Sequence, residues 1–214
     1  MIIGVFGKPR AGKTTYSARF VQKNKKKLFV CEKLPFLRVL LHPYDVVYCT
    51  DPTIQDTVYI DYEHLGKWKP TKNSLIILEE AGIGLDNRKW KNLSEDASYL
   101  FALHGHVGCD ILWSSQTVDV DKKLLSRTHK LFLLSRFLGW TLVVPIKFSV
   151  GVDNETKQLV DAYTCPHGLG VLLSLLIGQT KIFWRRPYYK YFDSFNDFKT
   201  YPMSDPAQQQ QDQH

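Results

Sequence analysis

The sequence predicts an α/β fold with a mostly parallel central sheet flanked by helices, extended by a C-terminal β-hairpin and an aromatic-rich arm. Three observations carry this prediction. An apolar run, Met1-Ile2-Ile3-Gly4-Val5-Phe6, leads into a glycine-containing loop and then a helical pattern. A second run, Leu75-Ile76-Ile77-Leu78, shows no polar alternation and ends in Glu79 and Glu80. A third, residues 110–115, ends in Gln116. An uninterrupted apolar run such as 75–78 suits a parallel sheet covered on both faces.

The first loop, Gly7-Lys8-Pro9-Arg10-Ala11-Gly12-Lys13-Thr14, fills the pattern G-x-x-x-x-G-K-[ST] of the phosphate-binding P-loop. Its glycines permit backbone angles and close approach that a Cβ would hinder. The loop amides and the following helix N-terminus can then face a phosphate. Lys13 is expected to hold the β/γ phosphates of ATP, and the Thr14 hydroxyl to ligate Mg²⁺. Thr15 completes the nucleotide-binding segment. The helix is predicted over 14–22, with Tyr16, Phe20 and Val21 packing inward.

The run 75–78 with its two acids reads as a Walker B strand. Acids at the C-terminal end of a central strand lie where α/β sheets place ligands. Glu79 is expected beside the Mg²⁺ shell, and Glu80 is expected to orient or deprotonate an attacking water. The competing reading is a helix N-terminus with favourable acids. Gln116, just past a buried strand, is either a γ-phosphate sensor or an ordinary solvated strand end.

The remaining elements follow in order. Residues 24–27, Asn24-Lys25-Lys26-Lys27, are expected at a solvated helix end, with nucleic-acid contact as the sharper alternative. Strands are predicted at 28–31, 46–49, 57–61 and 130–134, and a helix interrupted at Pro35 over 33–41. Residues 70–73 are a turn. A helix is predicted over 93–103, opened by Ser94-Glu95-Asp96, and a short helix or turn over 118–126. Residues 140–152 and 158–163 flank the turn Asp153-Asn154-Glu155-Thr156 as a hairpin. Residues 181–198 interleave arginines with aromatics. Such a segment can stack on single-stranded nucleic acid, or wrap onto its own domain or a neighbouring subunit.

Bulk properties narrow the class. A chain of 214 residues suits one domain, taken as 1–200, with a polar and disordered tail over 201–214. A core of that size needs no disulfide or metal staple. The four cysteines, Cys31, Cys49, Cys109 and Cys165, form no C-x-x-C pair and read as reduced thiols of a cytoplasmic protein. Cys165-Pro166-His167 lacks a second ligand pair for a metal. The net charge of +7 is compatible with a polyanionic partner. The N-terminus enters a strand directly, without a secretory leader. The longest apolar stretch, 169–177, is about half the length of a membrane-crossing helix, so a packed helix or interfacial segment is expected and no transmembrane helix.

Together these motifs resemble the zonular occludens toxin (Zot) family, which includes the assembly ATPases of filamentous phages. The resemblance spans about residues 1–195. It rests on the P-loop, on Leu75 to Ala81, and on Asn87-Arg88-Lys89-Trp90. It continues through His104-Gly105-His106-Val107-Gly108-Cys109-Asp110, the strand ending in Gln116, Asp119 and Asp121, and Tyr191-Phe192-Asp193-Ser194. The resemblance implies an ATPase of the FtsK–HerA type, with the Gln116 strand between the P-loop strand and the Walker B strand. It also implies a homo-oligomeric ring in which an arginine reaches the neighbour's γ-phosphate, Arg127 and Arg136 being the candidates. Single-stranded DNA, a membrane-bound assembly partner and a cytoplasmic location at the inner face of the host membrane complete the implied setting. Two rival functions are a nucleoside or nucleotide kinase, which needs an arginine-bearing lid, and a nucleotide-switched interaction module.

Overall fold

The computed structural model describes residues 1–85, 95–117, 120, 122–152, 159–166 and 168–193. Asn87 to Trp90, Ser94, Asp119, Asp121, the 153–156 turn, His167, Ser194 and the 201–214 tail lie outside the described residues.

Strand β1 (Ile2–Phe6) feeds the glycine loop and helix α1 (Lys13–Lys33). A 3₁₀ turn (Pro35–Leu37) and the short α2 (Arg38–Leu41) lead to β2 (Val46–Cys49) and β3 (Val58–Tyr59). Then come β4 (Ser74–Leu78), α3 (Ala81–Gly84), α4 (Glu95–Val107), β5 (Cys109–Ser115), α5 (Lys122–Ser126) and β6 (Lys130–Phe137). The chain continues with β7 (Trp140–Val152), β8 (Leu159–Thr164), α6 (Leu169–Leu176) and β9 (Lys181–Trp184). The strand order is β3-β2-β4-β5-β1-β6-β7-β8, with β9 also on β7. Pairing is parallel from β3 to β6 and antiparallel beyond.

The apolar strands are buried because each face has its own cover. Ile2 and Phe6 of β1, Ile76 and Leu78 of β4, and Ile111 and Trp113 of β5 pack with Ala97, Leu100 and Phe101 of α4 and Leu124 of α5. The alternate residues Ile3, Val5, Leu75, Ile77 and Leu112 pack with Tyr16, Ala18 and Val21 of α1. Each fully buried aliphatic side chain contributes about 1.5–3 kcal/mol. Gly4 makes room for the largest of these residues. A Cβ at Gly4 would fall 2.3 Å from the Trp113 ring of the paired strand.

One predicted strand is corrected. Residues 28–31 are not extended; they form the last turns of α1. The lysines at 25–27, good helix formers, carry the helix past its expected end. The lysine run is therefore mid-helix rather than terminal. Buried Asn24 fixes that region from within, donating to the Tyr44 carbonyl at 2.9 Å and accepting from the Tyr44 amide at 2.7 Å.

The C-terminal arm packs on the body. Its first part is the strand β9, and a 3₁₀ turn (Arg186–Tyr191) follows. Phe183 is buried, and Tyr188, Tyr191 and Phe192 rest against the α1 face of the core. Trp184 stays at the surface, edge-on to Trp140 with centroids 5.1 Å apart. Helix α6 and its C-cap residue leave Leu173, Leu176 and Ile177 exposed. No helix among the described residues is long and apolar enough to cross a membrane.

Candidate active site

Because β1, β4 and β5 run parallel and adjacent, the segments that leave their C-terminal ends converge. Those segments are the glycine loop, the Glu79-Glu80 pair and Gln116. Strand β5 stands between β1 and β4, as the family resemblance implies.

The loop is a formed cradle. The Gly7 amide donates to the Ser115 carbonyl at 3.2 Å, and the Ala11 amide to Lys8 at 3.1 Å. Arg10 and Gly12 both take positive φ, at 64° and 99°. Lys13 opens α1 and curls back, its Nζ donating to the Gly7 carbonyl at 3.1 Å. No side chain caps α1 and its first turn holds no acid. The unpaired amides of that end are therefore available to an anion.

The loop is backed by the antiparallel extension. Thr141 Oγ1 of β7 donates to the Ala11 carbonyl at 3.2 Å. Arg185, just after β9 and buried, donates from Nη1 to the Arg10 carbonyl at 3.1 Å and from Nε to the Gly139 carbonyl at 3.3 Å. Thr141 and Arg185 were not legible as site residues. Arg185 stood only as one of several arginines in an aromatic-rich segment.

The two acids have different environments. Glu79 is buried. Its Oε2 accepts from Ser114 at 3.0 Å and from Thr14 at 3.4 Å, and its Oε1 accepts from Ser17. Its backbone is held as well, the amide by Thr50 Oγ1 at 2.9 Å and the carbonyl by the Tyr62 hydroxyl at 2.7 Å. Burial raises the Glu79 carboxyl to about 7; Ser17 and Ser114 oppose the rise, while the charges of Asp51 and Glu80 add to it. Ser17 lies one helical turn past Lys13, a spacing that could have flagged it. Glu80 sits at φ 54°, a left-handed conformation uncommon for a residue with a Cβ. That turn aims its carboxylate at Lys13, with Oε1 3.3 Å from Nζ.

Hard oxygen donors on Thr14 and Glu79, set side by side, fit Mg²⁺. A divalent ion there would draw the Glu79 proton off and relieve its crowded negative charge.

A cavity of about 760 Å³ opens over the cradle. Pro9, Arg10, Gly12, Lys13, Thr14 and Thr15 line it together with Glu80, Gln116, Arg136 and Arg185. Tyr189, Phe192 and Asp193 line it from the C-terminal segment. Among the described residues, the cationic side chains that line it come from the loop, from β6 and from the residue after β9. Arg127 is elsewhere. It lies between α5 and β6, and β6 starts beside Ile3 at the N-terminal end of β1, so Arg127 is at the end of the sheet remote from the glycine loop.

The His104–Asp110 stretch also lies at that remote end. Asp110 accepts from the Tyr44 hydroxyl at 2.6 Å and from the Met1 ammonium. The His104 ring meets His129 with centroids 5.8 Å apart, and His129 Nδ1 accepts from the Ile2 amide at 3.0 Å. This stretch pins the entry to β1 and does not touch the cavity.

No family model and no curated protein sequence matches the chain. Solved structures do match. The N-terminal domain of zonular occludens toxin from Neisseria meningitidis aligns over 90% of this chain and 98% of that domain, at 13% identity and a TM-score of 0.50. The flagellar accessory protein FlaH from Methanocaldococcus jannaschii aligns over 75% of this chain and 88% of its own, at 14% identity and a TM-score of 0.44. The DNA-packaging ATPase from Sulfolobus Turreted Icosahedral Virus covers 75% and 95%, at 12% identity and a TM-score of 0.42. With its glycine cradle, interposed β5 and paired acids, the chain has the P-loop NTPase fold, the architecture it shares with the N-terminal domain of zonular occludens toxin.

Proposed function

We propose that the protein is a Zot-like ATPase that binds and hydrolyses ATP with Mg²⁺ to drive assembly or export of a filamentous single-stranded DNA phage. The observation that carries the reading is the meeting of cradle and acids: Lys13 to Glu80 at 3.3 Å and Thr14 to Glu79 at 3.4 Å. In this reading the loop amides and Lys13 bind the β/γ phosphates. Thr14 and Glu79 hold Mg²⁺, which when bound supplies positive charge against the phosphate oxygens. Glu80 leaves Lys13 as phosphate arrives and takes the proton of the attacking water. Gln116 and Arg136 face the γ-phosphate from β5 and β6. Arg127 and Arg136 stay the two candidates for the arginine that acts on a neighbour in a homo-oligomeric ring; Arg136 lines its own subunit's cavity and Arg127 does not.

The proposed setting is cytoplasmic, at the inner face of the host membrane, with a membrane-bound assembly partner and single-stranded DNA as cargo. ATP turnover measured with and without single-stranded DNA, with oligomer mass followed alongside, tests it. The expected result is hydrolysis by an oligomer, accelerated by DNA. Phosphate transfer to a nucleoside instead of water would establish the kinase reading, and binding without repeated turnover the switch reading.

A further inference from the structure

We propose that Tyr189 and Phe192 form a nucleobase subsite in the same cavity, with Asp193 reading the amino edge of the base. The inference rests on nucleotide binding at the glycine loop and adds what that loop lacks. Backbone amides and a lysine recognise phosphate charge, and they bind inorganic tripolyphosphate by the same contacts as ATP. Selection of a nucleoside has to come from another wall. The cavity volume of about 760 Å³ is within the range of small-molecule sites and leaves room beyond the phosphates.

The wall formed by residues 188–193 is tied down from several directions. The Tyr188 amide donates to the Arg185 carbonyl at 2.9 Å, next to the arginine that holds the loop. Gln55 donates from its amide to the Tyr191 carbonyl at 3.0 Å and from Nε2 to the Lys190 carbonyl at 3.2 Å. The Tyr188 ring stands edge-on to buried Phe183, centroids 6.0 Å apart. An anchored wall loses little conformational freedom when a ligand arrives.

On this fixed wall one ring is left open. Tyr189 is 48% exposed although it lines the cavity, whereas Phe192 is half-buried against the core. The rings meet edge to face, centroids 6.3 Å apart at 82°. A flat heterocycle can lie on one ring face and against the edge of the other. Stacking tolerates every base. The Asp193 carboxylate supplies only acceptors, so it favours a base that turns an N–H donor toward it, such as the 6-amino group of adenine.

The test is equilibrium binding of three ligands in Mg²⁺ buffer: ATP, inorganic tripolyphosphate, and the triphosphate of unsubstituted purine riboside, which lacks the 6-amino group. Wild type should prefer ATP to tripolyphosphate by about 10- to 100-fold. Tyr189→Ala should remove most of that preference by weakening ATP alone, and Tyr189→Phe should retain it. Asp193→Asn should narrow the preference for ATP over purine riboside triphosphate. An unchanged ATP-to-tripolyphosphate ratio in Tyr189→Ala would overturn the stacking assignment while leaving the loop intact. Equal binding of ATP and purine riboside triphosphate by wild type would overturn the Asp193 assignment. Failure of wild type to bind either ATP or tripolyphosphate would overturn the nucleotide reading itself. Phe192→Ala also disturbs the core, so the exposed Tyr189 carries the decision.

Discussion

Lys13 Nζ lies 3.3 Å from Glu80 Oε1, so the residue that should bind phosphate and the residue that should activate water neutralise each other in the free protein. In the proposed mechanism, phosphate displaces that carboxylate. Glu80→Gln removes the competing charge and the proton acceptor together. We expect nucleotide affinity to be retained or to rise, and turnover to fall by about 10²- to 10⁴-fold. Equilibrium titration and phosphate-release assays on one preparation check both halves. Wild-type turnover in this variant would remove Glu80 from the water-activating role.

Lys13→Ala tests the other partner. It deletes the buried cation of the cradle and leaves Glu80 facing the incoming phosphates without a counter-charge. The expected result is loss of ATP binding with the fold preserved, read by calorimetric titration beside circular dichroism. ATP affinity equal to wild type would count against the loop assignment.

The parts of the site that can be read along the chain are those that local spacing encodes. The G-x-x-x-x-G-K-[ST] loop and the acids after an unbroken apolar strand carry their geometry within a few residues. Ser114, Thr50 and Tyr62, which hold Glu79 in place, come from separate segments that only the sheet order brings together. Arg185 reaches the loop because β9 pairs with β7, a contact between Trp140 and Trp184 that no local pattern announces. The misread strand at 28–31 has a related cause. Leu28, Phe29, Val30 and Cys31 look extended as a short apolar run, but Phe29 is 56% exposed and only Cys31 of the four is buried, as one face of a continuing helix requires.

Arg185 is a positioning residue for the loop. Its guanidinium holds the Arg10 and Gly139 carbonyls from two different nitrogens, a fork that lysine cannot reproduce. Arg185→Lys should therefore cost about 1–3 kcal/mol of stability. It should also weaken ATP and tripolyphosphate by the same factor, because the shared phosphate cradle is what shifts. Urea unfolding and the two titrations measure these effects. Loss of ATP affinity alone would place Arg185 at the base instead.

Two glycines make opposite predictions. A Cβ at Gly12 would meet Thr141 Oγ1 at 2.6 Å on a backbone with φ of +99°. Gly12→Ala should thus lower stability by about 1 kcal/mol or more and spoil phosphate binding. Gly105, inside α4, has nothing within 4 Å of the same added atom. Gly105→Ala should raise stability by about 0.4–1 kcal/mol by restricting the unfolded chain, with no change in nucleotide affinity. Thermal melts of both variants check the contrast.

The remote end of the sheet predicts a pH dependence that is independent of the active site. Burial pulls the His104 ring below the usual histidine range. The Met1 ammonium and His129 act in the same direction, while the Phe101 carbonyl and Asp110 act against it. A base with a depressed folded-state pKa binds fewer protons folded than unfolded. Its contribution is thus complete above the unfolded value of about 6.5 and is lost as pH falls through the folded value. The His104 contribution falls on acidification below pH of about 6.5, while the buried Glu79 carboxyl, raised to about 7, favours the folded state over the same range. His104→Gln should therefore be less penalised by acid than wild type. His106→Gln, at an exposed position of the same helix, is the control and should leave the slope unchanged. Urea midpoints measured across this range settle the matter: an equal slope in wild type and His104→Gln would mean that the acid sensitivity arises elsewhere.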